Sequence, residues 1–195
     1  MATTVANRAI KARAKASPDR IQDNIQNDRY VKAGAIHTND ILHVAETEEL
    51  SSNDLPGGNV SVPLSLWLEE KEAILARGGV VAVQIAADEA PADIADDLDR
   101  IDMIVLPFVN FVDGRSYSHA HKLRLRHGYA GEIRAVGDVN FDQLSFLTRV
   151  GVDAFELREG ANHETALRAF NEFSEVYQPA ADDGRLIFSR RRQVH

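Results

Sequence analysis

The sequence predicts an α/β fold in which an open, mostly parallel sheet is built from about four consecutive strand–helix units. Short apolar, β-branched runs recur along the chain, and apolar residues at helical spacing follow each run. Glycine, proline or asparagine separates the two kinds of segment. Successive units of this kind give parallel strands joined by right-handed crossovers. Because about four units are too few for a closed eight-stranded barrel, the alternative is a half-barrel that dimerises.

The composition is that of a globular protein and excludes several function classes. The chain has 195 residues, of which 44% are hydrophobic and 27% are charged. The formal net charge of −8 argues against general nucleic-acid binding, which requires a basic face. The absence of cysteine excludes a disulfide scaffold, a cysteine-ligated iron–sulfur cluster and a thiol nucleophile.

Residues 1–59 are predicted to form an N-terminal arm and an irregular segment that adds edge strands or covering helices. The arm is rich in alanine and basic residues, as in transit peptides, but a cytoplasmic protein with such an arm is the simpler interpretation. Tyr30–Lys32 and Ile41–Val44 are candidate strands, whereas the polar Glu46–Gly58 has loop composition. No run approaches the ~18 apolar residues of a membrane span.

The core domain is predicted over residues 60–180, with a basic tail over 181–195. Pro63 suits the first position of a helix that Gly78-Gly79 ends. The later helices are expected to begin at prolines, serines or asparagines, because these residues favour helix N-termini. They begin at Pro91, Ser116, Asn140 and Asn162, and the strands between the helices are Val80–Ala86, Met103–Phe111, Glu132–Val136 and Asp153–Leu157.

Two of these helices have clear apolar faces. After Asn140, the residues Phe141, Leu144 and Leu147 recur at helical spacing, so all three are expected to face the core. The last helix is expected to bury Leu167, Phe170, Phe173 and Tyr177 in the same way.

The candidate ligand site is the loop after the second strand of the core. Ligands of parallel α/β folds bind beyond the carboxyl ends of the strands. Residues 110–118 there combine a glycine, an arginine with a planar fork and the N–H groups of a new helix, which together suit a small oxyanion. The predicted ligand-binding residues are Asn110, Gly114, Arg115, Ser116, Tyr117, Ser118, Gly137 and Gln143.

A purely structural interpretation of the same loop stays open. Asp113-Gly114 is also an ordinary turn, and Ser116 or Ser118 can serve only as a helix cap. Arg115 can pair with Asp138 across adjacent strand ends.

Three aspartates are the candidate catalytic residues if the protein is an enzyme. Asp113, Asp138 or Asp142 would act as general acid or base, while Arg115 clamps an anionic metabolite. A metal site is not favoured. Asp113 and Asp138 could hold a magnesium ion if they are neighbours, but two aspartates at strand ends are common. His119 and His121 are spaced i,i+2 and point to different faces of a helix. The nucleotide motifs G-x-G-x-x-G and G-x-x-x-x-G-K-[ST] are absent from the sequence, and no cofactor is predicted.

Negative charge is concentrated in one stretch of the chain. Between Asp40 and Asp102 there are fifteen acidic residues against Lys71, Arg77 and Arg100. Such a stretch is usually a solvated face, and docking of a basic partner is the alternative.

Two blocks of sequence carry a resemblance to a known family. They are D-G-R-x-Y-S at 113–118 and R-A-V-G-D-V…D-Q-L at 134–144. Further matching residues are Phe108, Phe111, Leu123-Arg124, Arg126, Gly128-Tyr129, Gly131-Glu132, Arg149, Gly151, Asp153-Ala154-Phe155, Val62-Pro63-Leu64 and Leu66-Trp67-Leu68. Over these residues the chain resembles a family of uncharacterised proteobacterial proteins, a domain of unknown function usually encoded beside assimilatory sulfite reductase. Val109 and His121-Lys122 depart from the family's pattern.

The resemblance implies a role in sulfur assimilation in the cytoplasm. Family members are labelled oxidoreductases probably involved in sulfite reduction, but a sulfite reductase holds its iron–sulfur cluster with cysteines, and this chain has none. We therefore expect an accessory protein that binds a small oxyanion. The expected partners are sulfite reductase or its electron donor, with neither nucleic acid nor membrane involved, and a homo-oligomer stays open.

Overall fold

The computed structural model describes residues 28–47, 50–109 and 113–170. It contains one eight-stranded sheet with helices between the strands. The strands are β1 (Arg29–Lys32), β2 (Ala35–Thr38), β3 (Ile41–His43), β4 (Asn59–Pro63), β5 (Val81–Gln84), β6 (Met103–Phe108), β7 (Glu132–Gly137) and β8 (Ala154–Phe155). The α-helices are α1 (Leu64–Ala76), α2 (Arg115–Leu125), α3 (Leu144–Arg149) and α4 (His163–Phe170), and the 3₁₀ helices are Ser52–Asp54, Pro91–Arg100 and Phe141–Gln143.

The sheet is mostly parallel, and the predicted fold class is confirmed. Strands β3 to β8 are parallel neighbours in chain order, and the β1–β2 hairpin adds two antiparallel strands beside β8. The candidate strands Tyr30–Lys32 and Ile41–Val44 correspond to β1 and β3. The sheet has six parallel strands rather than about four, because β3 and β4 add to it beside β5.

The connection between β2 and β3 shows that the sheet is curled into a half-barrel, as in the predicted alternative. These strands form opposite edges of the sheet, yet only Asn39 and Asp40 separate them in the chain. Three virtual Cα–Cα bonds of 3.8 Å span at most ~11 Å. Eight strands spaced ~4.8 Å apart in a flat sheet would place the edges ~34 Å apart. The sheet therefore curls until its two edges approach each other.

The two faces of the curled sheet have different chemistry. The face toward the helices is a large apolar core that includes Trp67, Ile104 and Phe155, all of them fully buried. The concave face has a smaller apolar cluster around Val105 and also contains buried polar residues, among them Arg134. Successive strand residues point to opposite faces, so each strand contributes to both.

Several predicted elements differ in detail from the observed ones. Pro63 ends β4 rather than opening the helix, and α1 begins at Leu64. The segment after Pro91 is a 3₁₀ helix, and it buries every third residue: Pro91, Ile94 and Asp97. The predicted strands Val80–Ala86 and Asp153–Leu157 extend beyond β5 and β8, because the apolar runs continue past the strand ends, whereas β7 is one residue longer than the predicted Glu132–Val136.

One prediction about the segment after β7 is wrong, because Phe141 does not face the core. Leu144 and Leu147 are buried as predicted, but Phe141 is 52% exposed because it lies in the 3₁₀ turn that precedes α3. Within the described ranges, no helix is long and apolar enough to cross a membrane. The arm to residue 27, Asn110, Phe173, Tyr177 and the tail 181–195 lie outside the described residues, as does the Phe170 side chain.

Candidate functional site

The predicted site lies where β6 and β7 end side by side. These strands are parallel neighbours, and Phe108 is in register with Gly137 at their carboxyl ends. The Asp138 backbone N–H donates to the Phe108 carbonyl at 2.7 Å. The two loops predicted to share the site are thus adjacent, as the sheet topology requires.

Gly137 is required by the close approach of the two strands. Its φ of +98° lies in the left-handed region, which favours glycine. A Cβ atom there would lie 2.7 Å from the Phe108 carbonyl oxygen, too close for van der Waals contact. This packing accounts for the glycine without a ligand.

Arg115 forms a forked ion pair with Asp113. Its Nε lies 2.9 Å from Oδ1 and its Nη2 lies 2.6 Å from Oδ2. Asp113 Oδ1 also accepts from the backbone N–H of Arg115, at 3.1 Å. These bonds from Arg115 lower the pKa of Asp113 to about 2. The alternative pairing of Arg115 with Asp138 is wrong, because the nearer carboxylate lies within the same turn.

Arg115 itself remains largely open to solvent. Its side chain is 59% exposed, against 29% for the side chain of Asp113. The arginine stands on the first turn of α2, where backbone N–H groups lack intrahelical acceptors. The guanidinium, paired with Asp113, therefore stands beside a helix N-terminus at the carboxyl edge of the sheet.

Three other predicted ligand residues form hydrogen bonds near the carboxyl ends of β6 and β7. The Ser116 hydroxyl is buried and donates to the Pro107 carbonyl at 3.0 Å. Gln143 Nε2 donates to the Tyr117 hydroxyl at 3.0 Å, and its Oε1 accepts from the Asn140 backbone N–H at 2.9 Å. Burial raises the pKa of Tyr117. In the structure, Ser116, Tyr117 and Gln143 therefore already have partners.

The remaining predicted residues of the described loop are exposed or half-buried. Gly114, Ser118 and Asp142 are exposed, and Asp138 is half-buried with the Asn140 amide 3.5 Å from its Oδ1. Asp142 acts on Tyr117 by raising its pKa, which places the carboxylate near the same loop.

His119 is a candidate site residue that the sequence prediction missed. It is 6% exposed, and its Nδ1 has no hydrogen-bond partner among the described residues. Burial, with Lys122 and Arg115, lowers its pKa, which keeps the ring uncharged at neutral pH. Buried polar atoms nearly always have partners, so this one requires an explanation. The i,i+4 spacing from Arg115 is the signal that identifies it in the sequence.

A second polar cluster, the interior network, fills one end of the concave face. Its centre is Arg134, whose side chain is 2% exposed. Arg134 donates to Glu132 at 2.8 Å, to Glu156 at 3.1 Å and to Asn39 at 2.9 Å. Its guanidinium carbon also lies 4.0 Å from the centre of the Tyr30 ring.

His43 extends the interior network to the far edge of the sheet. Its Nδ1 lies 2.6 Å from Ser61 Oγ and its Nε2 lies 2.9 Å from Glu156 Oε1. Gln84 Nε2 lies 3.1 Å from the same serine oxygen. An uncharged ring with its proton on Nε2 satisfies this order: Gln84 donates to Ser61, Ser61 to His43, and His43 to Glu156.

The serine, histidine and glutamate of the interior network have the order of a hydrolase triad, but they are enclosed. Ser61 is fully buried, and Glu156 and His43 are 5% and 8% exposed. A nucleophile must reach the carbonyl that it attacks, and these burials leave Ser61 no room for one. The contacts join the edge strand β3 to the residue after the inner strand β8, so they hold one curled edge across the concave face.

The described residues contain no group of three or more histidine, aspartate or glutamate side chains placed to hold a metal ion.

The curled, mostly parallel sheet and its exposed strand-end loop define an α/β domain of half-barrel type. The chain belongs to the family described as "Bacterial protein of unknown function (DUF934)", whose model matches residues 82–188. This confirms the resemblance to a bacterial domain of unknown function. The matched region contains Arg115, His119 and Arg134 but begins after His43 and Ser61. No curated protein matches the chain.

Proposed function

We propose that the protein is a cytoplasmic accessory protein of assimilatory sulfite reduction that binds a small oxyanion at the loop after β6. The exposed guanidinium of Arg115, beside the N-terminus of α2, is the observation that carries the binding proposal. The D-G-R-x-Y-S and R-A-V-G-D-V blocks support the sulfur context through the family resemblance.

The ion pair with Asp113 is compatible with anion binding. Asp113 is two residues from Arg115, and both side chains reach solvent. Exposed ion pairs contribute little to stability, because water competes for both charges and salt screens them. The carboxylate occupies the guanidinium fork as an oxyanion would, so sulfite or sulfate can replace it there.

An enzyme acting on a small anionic metabolite is the alternative within the same site. A general acid or base works best when its pKa is near the working pH. The pKa of about 2 makes Asp113 a weak base, so Asp138 or Asp142 would carry the proton. In that case Asp138→Asn abolishes turnover and leaves anion binding intact.

A thermal-shift titration of the full chain tests the binding proposal. The panel contains sulfite, sulfate, adenylyl sulfate, its 3′-phosphate derivative, NADPH and flavins. A ligand at 100 times its dissociation constant stabilises the native state by ~2.7 kcal/mol, which is measurable in a domain of this size. We expect a shift with a sulfur oxyanion that Arg115→Ala removes.

The control for this titration is Arg126→Ala. Arg126 is an exposed arginine immediately after the same helix. The control variant should keep the full shift. An unshifted wild-type panel, or an equal loss of the shift in both variants, contradicts the proposal.

Docking on sulfite reductase or its electron donor is a second candidate function, favoured by an acidic row on the long 3₁₀ helix. Asp93, Asp96 and Asp99 are exposed and spaced three residues apart on Pro91–Arg100. Residues at i and i+3 eclipse in a 3₁₀ helix, about 6 Å apart along its axis. Neighbouring Asp97, in contrast, is buried and paired with Lys71 at 2.9 Å.

Binding to purified sulfite reductase at several salt concentrations tests the docking function. Exposed charge attraction is screened over ~8 Å at physiological ionic strength, so added salt should weaken the complex. The double variant Asp93→Asn, Asp96→Asn should weaken it further. The exposed pair Glu159→Gln, Glu164→Gln removes the same charge elsewhere and serves as control. A complex insensitive to salt and to the first variant contradicts this function.

A further inference from the structure

We propose that His119 is the second ligand group of the oxyanion site and takes up a proton when the anion binds. This inference rests on the proposed function, because it assigns a role to a residue beside Arg115. It adds a property that the binding proposal alone does not contain, namely tighter binding of the anion at lower pH.

The geometry places His119 and Arg115 on one face of α2. Residues four apart on a helix are surface neighbours, with Cβ atoms about 5–6 Å apart. Side chains on a helix lean toward its N-terminus, so the imidazole leans toward the turn that carries Arg115. The other histidine of this helix, His121, is exposed and lies on a different face.

The state of the ring supports the same role. His119 is more than nine-tenths buried, and its Nδ1 has no partner within the part of the chain that the structure describes. A side chain that only filled the core would leave this polar atom unpaired, which is destabilising. An anion that accepts a hydrogen bond from the protonated Nδ1 removes that mismatch.

The charged groups around His119 determine whether its ring is more or less easily protonated. Lys122 and Arg115 oppose protonation of the ring, and Asp113 favours it. Strand β6 and the 3₁₀ helix Pro91–Arg100 also pack on α2. The strand has no ionisable side chain, and the carboxylates of the 3₁₀ helix are not among the charges that act on the ring. Asp88 acts on Arg115 rather than on the histidine.

Binding of an anion reverses this balance. Sulfate in the fork of Arg115 brings a double negative charge to the place where Asp113 brings a single one, so the pKa of His119 rises in the complex. A group whose pKa is higher in the complex binds a proton with the ligand, and by linkage the anion binds more tightly as pH falls. For one proton, the dissociation constant changes by at most about tenfold per pH unit.

Calorimetric titration of the full chain with sulfate tests the inference. Sulfate remains a dianion between about pH 5.5 and about pH 8, where histidine titrates, so any pH dependence belongs to the protein. Titrations in two buffers with different ionisation enthalpies measure the protons taken up. In the wild type we expect tighter binding toward low pH together with proton uptake.

Two variants separate His119 from its surroundings. His119→Gln should bind sulfate more weakly, without pH dependence and without proton uptake. His121→Gln should behave as the wild type. Proton uptake that persists in His119→Gln overturns the inference, and so does sulfate binding by the wild type that is independent of pH. Failure of the wild type to bind sulfate at any pH overturns the inference, whereas the proposed site is overturned only if the whole thermal-shift panel is also flat.

An NMR titration keeps the test valid if His119→Gln does not fold. The ring signals of His119 in the wild-type protein are followed with and without sulfate. The midpoint of this titration should move to higher pH when sulfate is present and stay unchanged in Arg115→Ala. A midpoint that sulfate does not move overturns the inference.

Discussion

Two arginine–carboxylate clusters of this domain differ in almost every physical respect. Arg134, in the interior network, is 2% exposed and donates to residues from three separate parts of the sheet. Arg115, at the strand-end loop, is 59% exposed and pairs with a carboxylate two residues away. The interior arginine is committed to the fold, whereas the loop arginine can exchange its partner for a ligand.

The difference between the two clusters follows from how deeply their charged groups are buried. In the interior network, Glu132 and Glu156 face Arg134 away from water, so loss of the arginine removes a buried charged partner from both carboxylates and leaves them only Lys32 and His43. At the loop, water can replace either partner of Asp113–Arg115. A charged residue in this domain is therefore structural when its partners come from distant strands, and a candidate for binding when its partner is local and exposed.

Removal of the interior arginine should have the largest effect. Arg134→Met is expected to lower the free energy of unfolding by about 3–5 kcal/mol, because it leaves Glu132 and Glu156 without their buried partner. Urea denaturation measures the change. The exposed Arg126→Met should alter stability by no more than about 0.5 kcal/mol. Equal effects of the two substitutions would contradict a structural role for the interior network.

Gly137→Ala should have the next largest effect. The substitution places a Cβ 2.7 Å from a backbone oxygen at a φ of +98°, so we expect a loss of about 1–3 kcal/mol in the free energy of unfolding. Gly57→Ala is the control, because Gly57 has open space around its Cβ position and no positive φ. Wild-type stability of Gly137→Ala would mean that the strand ends can separate at no cost.

Ser61→Ala probes the far end of the interior network. The substitution removes the partner of His43 Nδ1 and one acceptor of Gln84, so the free energy of unfolding should fall by about 1–3 kcal/mol. The exposed Ser65, whose hydroxyl lies 3.1 Å from Glu46 Oε1, provides the matched control Ser65→Ala. If both variants unfold at the same urea concentration, the buried hydrogen bonds do not hold the sheet edge.

Arg115→Ala should abolish anion binding without destabilising the fold. The ion pair is exposed, so we expect the urea midpoint to stay at the wild-type value while the sulfate-induced thermal shift disappears. Circular dichroism and the thermal-shift titration measure the two effects on one sample. A variant that unfolds would make Arg115 structural, and the contrast with Arg134 would then be wrong.

The smallest expected effect is the pH response of the loop ion pair. Asp113 has a pKa of about 2 in the folded protein, below its ordinary value, because Arg115 bonds to its charged form. The contribution of the pair to stability is present above the ordinary carboxylate pKa and is lost as pH falls toward about 2. Carboxyl NMR signals should show this low titration in the wild type and a return toward the ordinary value in Arg115→Ala. An identical titration in both proteins would contradict the pairing.

Much of the fold was predictable because it depends on short-range patterns. The alternation of apolar strands and amphipathic helices predicted the parallel sheet, and the rule for strand carboxyl ends predicted that the segments after β6 and β7 are neighbours. Strand β4 was missed because Pro63, a helix-start signal, is also the last strand residue. The 3₁₀ form of the segment after Pro91 was missed because its buried residues repeat every three positions, close to the helical period.

The partners of the polar residues were not predictable in the same way. His43 and Glu156 lie 113 positions apart, and no local pattern connects them. The signal in the sequence is weak: Glu132 and Arg134 alternate with apolar residues in β7, which indicates only that one face of that strand is polar. His119 was set aside as half of a zinc pair, and only its burial without a partner drew attention to it.

The sequence by itself determined the class of fold, the order of the strand–helix units from β5 onward and the chemistry available at the strand-end loop, because periodicity, caps and turn residues act over a few neighbours. The tertiary structure decided which charged side chains have buried partners and which remain exposed to solvent. Curling of the sheet brought His43 to Glu156 and enclosed Arg134, while Arg115 was left at the rim with a partner from its own turn. Burial and distance between remote strands decide the role of a charge, and both arise only when the whole chain has folded.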